Sequence, residues 1–275
     1  MYKMISFDMD DTLLRSDKTI GPATKEAISK AEAAGRIVTL CTGRSVVELD
    51  DYLPDLPGVA YAVCTSGSVI YDIKNKKILE ATAIPEETVI SILEWAEDHS
   101  LIPILLTDQT IVQKKDMPRM EEFHIAHYVP LYENHATFIE NALTEYKANP
   151  YPIVKINLQH KTPEDRAATR KHFEDLGLPL AIVDAEAAML EFNPAGVNKG
   201  VAFLKLCELL HIDAAESIAV GDGENDENVL RVAGLGIAMG NSVPLIRDLC
   251  PVHVADCNHD GCAEAIYEYL MRGDN

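Results

Sequence analysis

Met4-Ile-Ser-Phe-Asp-Met-Asp-Asp-Thr-Leu-Leu14 and Ser217-Ile-Ala-Val-Gly-Asp-Gly-Glu-Asn-Asp226 decide the reading of this chain. Both begin with a short apolar run and break into an acidic loop, and they stand near opposite ends of the sequence. Short apolar runs that alternate with helical stretches are the pattern of buried parallel strands. In such sheets the ligand cleft lies outside the carboxyl ends of the strands. Two strands that deliver carboxylates to one edge imply a hard-cation site beside a nucleophile, which is the equipment of metal-assisted phosphoryl chemistry.

Working outward, the first segment reads as strand 4–8, helix 22–34, strand 36–41, a helix from about 45, and strand 59–64. A hairpin follows, 69–72 with 77–80, around the polar turn Ile73-Lys-Asn-Lys76. The pattern changes after Ile84. Pro85 opens a helix, Glu86 to His99, with acids in its first turn. Extended runs at 101–106 and 110–113, helices near 117–126 and 135–148, strand 153–159, helix 163–176 and strands near 180–184 and 188–192 come next. This mixture reads as an α+β insertion. Alternation then resumes with helix 198–211, strand 216–221, helix 225–232, strand 235–238, helix 243–249, strand 252–255 and helix 260–271. The fold class expected is therefore α/β: a Rossmann-like parallel-sheet core from 1–82 and 191–275, with an α+β cap domain inserted over 83–190.

Net charge is −20, which argues against nucleic-acid and anionic-membrane partners. It also repels a phosphate substrate, although screening limits that repulsion to about 8 Å at physiological salt. Local cations must then capture the anion. No apolar run approaches the length of a membrane span, and the amino-terminal residues lack the basic-then-apolar layout of a signal peptide. A cytoplasmic location is the expectation. The six cysteines suit a reducing compartment. Cys257 and Cys262, near His253 and His259, match no compact zinc spacing, and Asn258-His-Asp-Gly261 reads as a turn.

Four strands of the outer segments end in short polar loops: Asp8-Met-Asp-Asp-Thr12, Thr42-Gly-Arg44, Ser66-Gly67 and Gly221-Asp-Gly-Glu-Asn-Asp226. A further loop, Val197-Asn-Lys-Gly200, opens a helix. In order and spacing these resemble the haloacid dehalogenase-like superfamily of phosphohydrolases. The large insertion between the second and third motifs resembles the Cof-type sugar-phosphatase group, and the likeness covers essentially the whole chain. Two positions depart from the pattern. Asp11 stands where glycine is common, and Ser66 stands where Asn-Gly is frequent.

The resemblance implies a Mg²⁺-dependent phosphatase of small phosphorylated metabolites, with sugars suggested by the likeness alone. Asp8 is expected to take the phosphoryl group as an aspartyl phosphate. Asp10 would protonate the leaving alcohol and then activate water, and Thr12 would fix the loop. Mg²⁺ would lie on Asp8, Asp222 and the backbone carbonyl of Asp10, with Asp226 orienting a bound water from behind. Thr42, the Gly43 amide and Lys199 would hold phosphoryl oxygens, joined by the amides of Met9 and Asp11. Asn225 would donate to phosphate or orient Asp8. Arg44 is a candidate for phosphate or for a second anionic group.

Each assignment has a plainer rival. Aspartate and glycine at strand ends often serve only as turn and cap residues. Lys199 at a helix start is odd on stability grounds, because the macrodipole disfavours a cation there. Arg44 reads equally as a surface ion-pair residue. Ser66-Gly67 reads at least as well as a plain turn. His124, His127, Lys155 and His160 in the insertion are more simply solvated or bonded to neighbouring backbone, and Lys155 and Asn157 alternate on a strand of undetermined facing. A phosphomutase or phosphotransferase would keep the same residues, whereas a non-enzymatic phosphometabolite sensor could lose the nucleophile or acid, yet all the expected groups are present. A dehalogenase needs neither Asp10 nor Asp222, and Gly221-x-Gly223 lacks the third glycine of a dinucleotide fingerprint. The sequence leaves the oligomeric state open.

Overall fold

Every side chain of strand β1 (Met4–Phe7) is buried, which requires cover on both faces of the sheet it enters. In the computed structural model of the protein, which describes residues 1–185 and 188–273, that strand lies inside an eight-stranded sheet. Helix α1 (Pro22–Ala33) starts at a proline in its first turn and leads into β2 (Ile37–Cys41). The strands β3 (Val59–Cys64), β4 (Val69–Asp72) and β5 (Lys77–Ala81) follow. The order in this sheet is β14-β13-β12-β1-β2-β3-β4-β5, with β12 to β14 coming from the end of the chain as given below. Pairing is parallel from β14 to β3, and β4 then turns back antiparallel on β3. The register sets Phe7 beside both Leu40 and Val220. The chain therefore leaves the sheet at one edge just beyond these residues, at Asp8, Thr42 and Asp222.

The insertion builds a second sheet. Helix α2 (Glu86–Asp98) buries Val89, Ile92, Leu93 and Ala96, an apolar stripe at helical spacing. It is followed by β6 (Ile102–Leu106), β7 (Thr110–Gln113), α3 (Val129–His135), β8 (Ala136–Ile139), α4 (Ala142–Ala148), β9 (Lys155–Gln159), α5 (Pro163–Leu176), β10 (Leu180–Ala185) and β11 (Met189–Pro194). The six strands run β10-β11-β9-β6-β7-β8, with only β7 and β8 parallel. One face carries Leu105, Ile156, Leu158, Leu190 and Phe192 into a core with Val89, Ile92, Leu93 and Phe173 from the helices. Helix α5 is fixed at both ends: the Thr162 hydroxyl accepts from the Asp165 amide (3.1 Å), and Gly177 closes the helix at φ +61°.

The chain then returns to the first sheet through α6 (Lys199–Leu209), β12 (Ser217–Gly221), α7 (Glu227–Val232), β13 (Leu235–Ala238), α8 (Pro244–Leu249), β14 (Val252–His253) and α9 (Gly261–Ala265). Two compact units result. The first comprises Met1–Arg44, Leu49–Glu80 and the chain from Asn198 on, and the second Ala81–Val197 together with Ser45–Glu48. The boundaries thus fall at 80/81 and 197/198 instead of 82/83 and 190/191. The later one moves because β11 stays paired as far as Pro194, opposite Leu180. Among the described residues no helix is long and apolar enough to cross a membrane.

Three elements differ from the sequence expectation. The helix from about 45 is replaced by short 3₁₀ turns, Val47–Leu49 and Leu53–Asp55, with Pro54 and Pro57 denying a longer run its backbone donors. The helix near 117–126 is a 3₁₀ turn, Lys114–Arg119, that contains Pro118, followed by a second at Ala126–Tyr128. The single helix at 135–148 is split by β8, and Asn141 caps α4 by accepting from the Thr144 amide at 2.7 Å.

Phe173 is 1 % exposed and packs edge-on against Phe192 and Trp95, with ring centroids 5.0 and 6.1 Å away. Phe173→Ala should destabilise the second unit by about 3–5 kcal/mol. Trp95 is the chain's one tryptophan, so urea denaturation followed by its fluorescence reads this unit directly. A loss below about 1 kcal/mol would contradict the packing described.

Candidate active site

Asp8 is the first residue beyond β1, and its amide still donates to the Val220 carbonyl (3.0 Å). The chain then turns through Met9–Leu13, closed by the Leu14 amide on the Met9 carbonyl (2.8 Å). Asp11 holds this turn in the left-handed region (φ 57°, ψ 12°). That conformation explains why glycine suits the position and why aspartate, which tolerates it better than most residues, can replace it. The loop is anchored from outside by Asn241, whose Nδ2 donates to the Asp11 carbonyl (2.7 Å), and by the Cys262 thiol on the Thr12 carbonyl (3.3 Å).

The Lys199 ammonium is the hub. It donates to Asp8 Oδ1 at 2.6 Å and Asp226 Oδ1 at 2.7 Å and is 1 % exposed. Asp226 Oδ2 accepts from the amides of Asp222 (3.0 Å) and Gly223 (3.1 Å). The Thr12 hydroxyl donates to Asp222 Oδ1 at 2.7 Å. Oxygens of Asp8, Asp222 and Asp226 lie within 4.8 Å of one another. Burial and the neighbouring Asp226 push the Asp8 carboxyl up to about 8, against the pull of Lys199. Burial raises Asp222 to about 6, offset in part by the Thr12 hydroxyl. Burial would lower Lys199, but Asp226 and Asp8 outweigh it and raise its pKa.

This donor set fits a hard divalent cation. It offers three close carboxylates against one ammonium, with oxygen as the only ligand type. A cation there would also return Asp8 to its ionised form, because a nearby positive charge favours the carboxylate. The three are not equivalent, however. Both Asp226 oxygens already accept hydrogen bonds, so Asp226 braces the loop, while Asp8 and Asp222 each retain an oxygen without a protein donor in the bonds described.

Asp10 points elsewhere. Arg44 grips its carboxylate with two bonds, Nε to Oδ2 at 2.9 Å and Nη2 to Oδ1 at 2.8 Å, and Lys18 adds Nζ to Oδ1 at 3.0 Å. Burial would raise the Asp10 carboxyl, but Arg44 and Lys18 hold it down at about 2. Arg44 is thus engaged with Asp10 in this structure, and its Cζ lies 5.1 Å from the centroid of the Tyr52 ring. Lys18 was not singled out from sequence. A reverse turn with Lys18 at φ 63° returns it to the loop, and only the folded turn reveals that.

The remaining loops support these groups. Thr42 is 1 % exposed, and its hydroxyl accepts from the Arg44 amide (3.1 Å), which shapes the Thr42-Gly43-Arg44 turn. The Thr65 and Ser66 amides donate to the carbonyls of Arg44 (2.8 Å) and Thr42 (3.0 Å). Thr65 and Ser66 both have positive φ, a strained state for β-branched threonine. Gly67 adopts φ +109°, and a Cβ there would sit 2.3 Å from the Asn198 carbonyl. Ser66-Gly67 is therefore a buttress for the start of α6. Asn198 caps that helix by accepting from the Val201 amide (2.9 Å), fixing the first turn that carries Lys199. Asn225 lies on the Glu224–Asp226 turn and is exposed. In the second unit, His160 is buried, bonded to the Thr169 hydroxyl (2.9 Å) and the Ala188 carbonyl (3.0 Å).

The haloacid dehalogenase-like hydrolase family matches residues 5–266 of this chain. The chain is 27 % identical to the pyridoxal phosphate phosphatase YbhA of Escherichia coli, covering 98 % of this chain and 99 % of that protein. It is 26 % identical to an HMP-PP phosphatase of Serratia proteamaculans, covering 98 % and 96 %. The fold is also that of the HAD subclass IIB sugar phosphatase BT4131, with a TM-score of 0.79 at 20 % identity over 98 % of this chain and 99 % of that one. The chain belongs to the haloacid dehalogenase-like hydrolases and is an enzyme of their phosphatase type.

Proposed function

We propose that this enzyme hydrolyses small phosphorylated metabolites through a phosphoryl group carried on Asp8, with Mg²⁺ held by Asp8, Asp222 and the Asp10 carbonyl. The observation that carries the reading is the buried cluster in which Lys199 bridges Asp8 and Asp226 beside Asp222. The relatives named for pyridoxal phosphate and HMP-PP support small phosphorylated compounds as the substrate class.

When bound, Mg²⁺ would offset the repulsion between these carboxylates and the incoming phosphate and would neutralise charge on its oxygens. Asp8 attacks phosphorus, and the bond from phosphorus to the alcohol oxygen breaks with its electron pair going to that oxygen. Asp10 gives the oxygen a proton. A water then attacks phosphorus, Asp10 takes its proton, and the bond to Asp8 breaks, which returns the carboxylate and frees inorganic phosphate. Lys199, Thr42 and the amides of Gly43, Met9 and Asp11 are the donors for the oxygens that gain charge. Asn225 is the exposed polar group on the adjoining turn that completes this set.

Asp10 can deliver a proton only after Arg44 and Lys18 release it. The phosphate oxygens are the anion that competes for those two cations. Binding thus supplies Arg44 with a new partner and leaves Asp10 free to take up a proton from solvent. In this account Arg44 serves both states.

Phosphate release should be measured on a panel of sugar phosphates, nucleotides, HMP-PP and pyridoxal phosphate. Turnover should require Mg²⁺, vanish with EDTA, and fall by about a thousandfold or more in Asp8→Asn. Binding of panel members without release would move the mutase or sensor reading ahead. Gly67→Ala tests the buttress: the added Cβ must displace Asn198 and with it Lys199. The expected result is a fall in kcat of about a hundredfold with KM changed far less, and wild-type kcat would contradict the assignment.

A further inference from the structure

We propose that Asn241 and Asn258, which lie outside every loop given a role above, are positioning residues for the nucleophile turn. They clamp the chain from Asp11 to Ser16, so that Asp8 and the amides of Met9 and Asp11 are set before substrate binds. The inference rests on the phosphatase reading and adds two residues to its machinery.

The topology brings them there. Strand β12 runs parallel to β1, β13 to β12 and β14 to β13, so the loops after β13 and β14 emerge at the edge where Asp8 and Asp222 stand. Asn241 lies on the first of these loops, and Asn258 on the short turn Cys257–His259 in the second. The two loops are tied together. Asn241 Oδ1 accepts from the Cys257 amide at 3.1 Å, and the Gly240 amide donates to the Ala255 carbonyl at 3.2 Å. Asp256 Oδ1 accepts from the Asn258 amide at 2.9 Å, which fixes the turn that carries Asn258.

From this base the clamp takes the nucleophile turn at both ends. Asn241 Nδ2 donates to the Asp11 carbonyl at 2.7 Å. Asn258 holds Ser16 by two bonds, its Oδ1 accepting from the amide (3.2 Å) and its Nδ2 donating to the hydroxyl (2.9 Å). Arg15 Nη2 pairs with Asp260 Oδ1 at 2.9 Å beside them. The Arg15 carbonyl accepts from the Lys18 amide (2.8 Å), so the turn that returns Lys18 to Asp10 begins inside the same clamp.

The arrangement suits positioning better than packing. Asp11 is held in the left-handed region, and a residue other than glycine stays there only where its surroundings fix it. The bond from Asn241 to the Asp11 carbonyl supplies that restraint. Asn241 and Asn258 are themselves exposed, so truncating either leaves no core cavity. What they restrain are donors whose worth lies in being fixed before charge develops. Lys199 and Thr42 reach the proposed phosphate site from other loops. Ground-state binding therefore survives loss of the clamp, while the aim of Asp8 does not. The turn also carries its own reporters: the Leu13 and Leu14 amides donate to the carbonyls of Asp8 (3.2 Å) and Met9 (2.8 Å).

The test compares wild type with Asn241→Ala, Asn258→Ala and the double variant. Hydrogen exchange is read by mass spectrometry resolved to single amides, and turnover is measured on pyridoxal phosphate and p-nitrophenyl phosphate. In the double variant the Leu13 and Leu14 amides should exchange at least about tenfold faster, with β1 and β12 as in wild type and the melting temperature level. On both substrates kcat should fall by about tenfold or more, with KM within about threefold of wild type. Unchanged exchange at the two amides overturns the proposal, and so does an unchanged kcat. Protection lost across the whole sheet, with a lower melting temperature, also overturns it and marks a purely structural tie. If wild type turns over neither compound, the phosphatase reading fails for them and exchange decides the clamp separately. Faster exchange confined to the turn then supports it, and unchanged exchange overturns it.

Discussion

The ammonium of Lys199 lies between the carboxylates of Asp8 and Asp226, in a position almost closed to solvent. Three carboxylates held within 4.8 Å would repel one another strongly without it. Much of the first unit serves to keep that charge in place. Asn198 caps the first turn of α6, and Gly67 lets the neighbouring loop approach its carbonyl. Gly200 lets the same turn meet the Asn228 carbonyl, which lies 2.5 Å from where a Cβ would stand. The helix dipole opposes a cation at that end. The site accepts this cost because the carboxylates return more than the dipole takes.

A second constraint is the scarcity of free positive charge. Net charge is −20, and the cations at the proposed phosphate site are already engaged. Lys199 is held by Asp8 and Asp226, while Arg44 and Lys18 are held by Asp10. Under the proposed function, phosphate binding would be an exchange of partners, and a divalent cation would supply the surplus that these side chains lack. Under that function the same exchange would free Asp10 for its proton transfer and tie capture of the substrate to activation of the acid.

Much of this was legible in sequence, for physical reasons. A buried parallel strand is a run of apolar residues, and its loop must start where that run breaks, so Asp8, Thr42 and Asp222 were visible. Lys199 stood out because a cation contradicts the dipole at a helix start. Other features depend on three dimensions. Lys18 reaches Asp10 only because a tight turn at positive φ brings it back. Gly67 reads as a turn residue, and its role as a buttress exists only against Asn198. The helix expected from about 45 gives way to short turns, and there Ser45 and Glu48 bond to Thr110, a partner far away in sequence. Alternation placed Lys155 and Asn157 on one face, but which face depends on where α2, α4 and α5 pack.

The central claim is that Asp8 carries the phosphoryl group, and reductive trapping tests it most directly. Enzyme turning over a good substrate with Mg²⁺ would be quenched with borohydride, which reduces an acyl phosphate but spares free carboxylates. The digest would then be mapped by mass spectrometry. The account predicts modification at Asp8 that needs both substrate and Mg²⁺. Turnover with no modification at Asp8, or with the label on another residue, would contradict it.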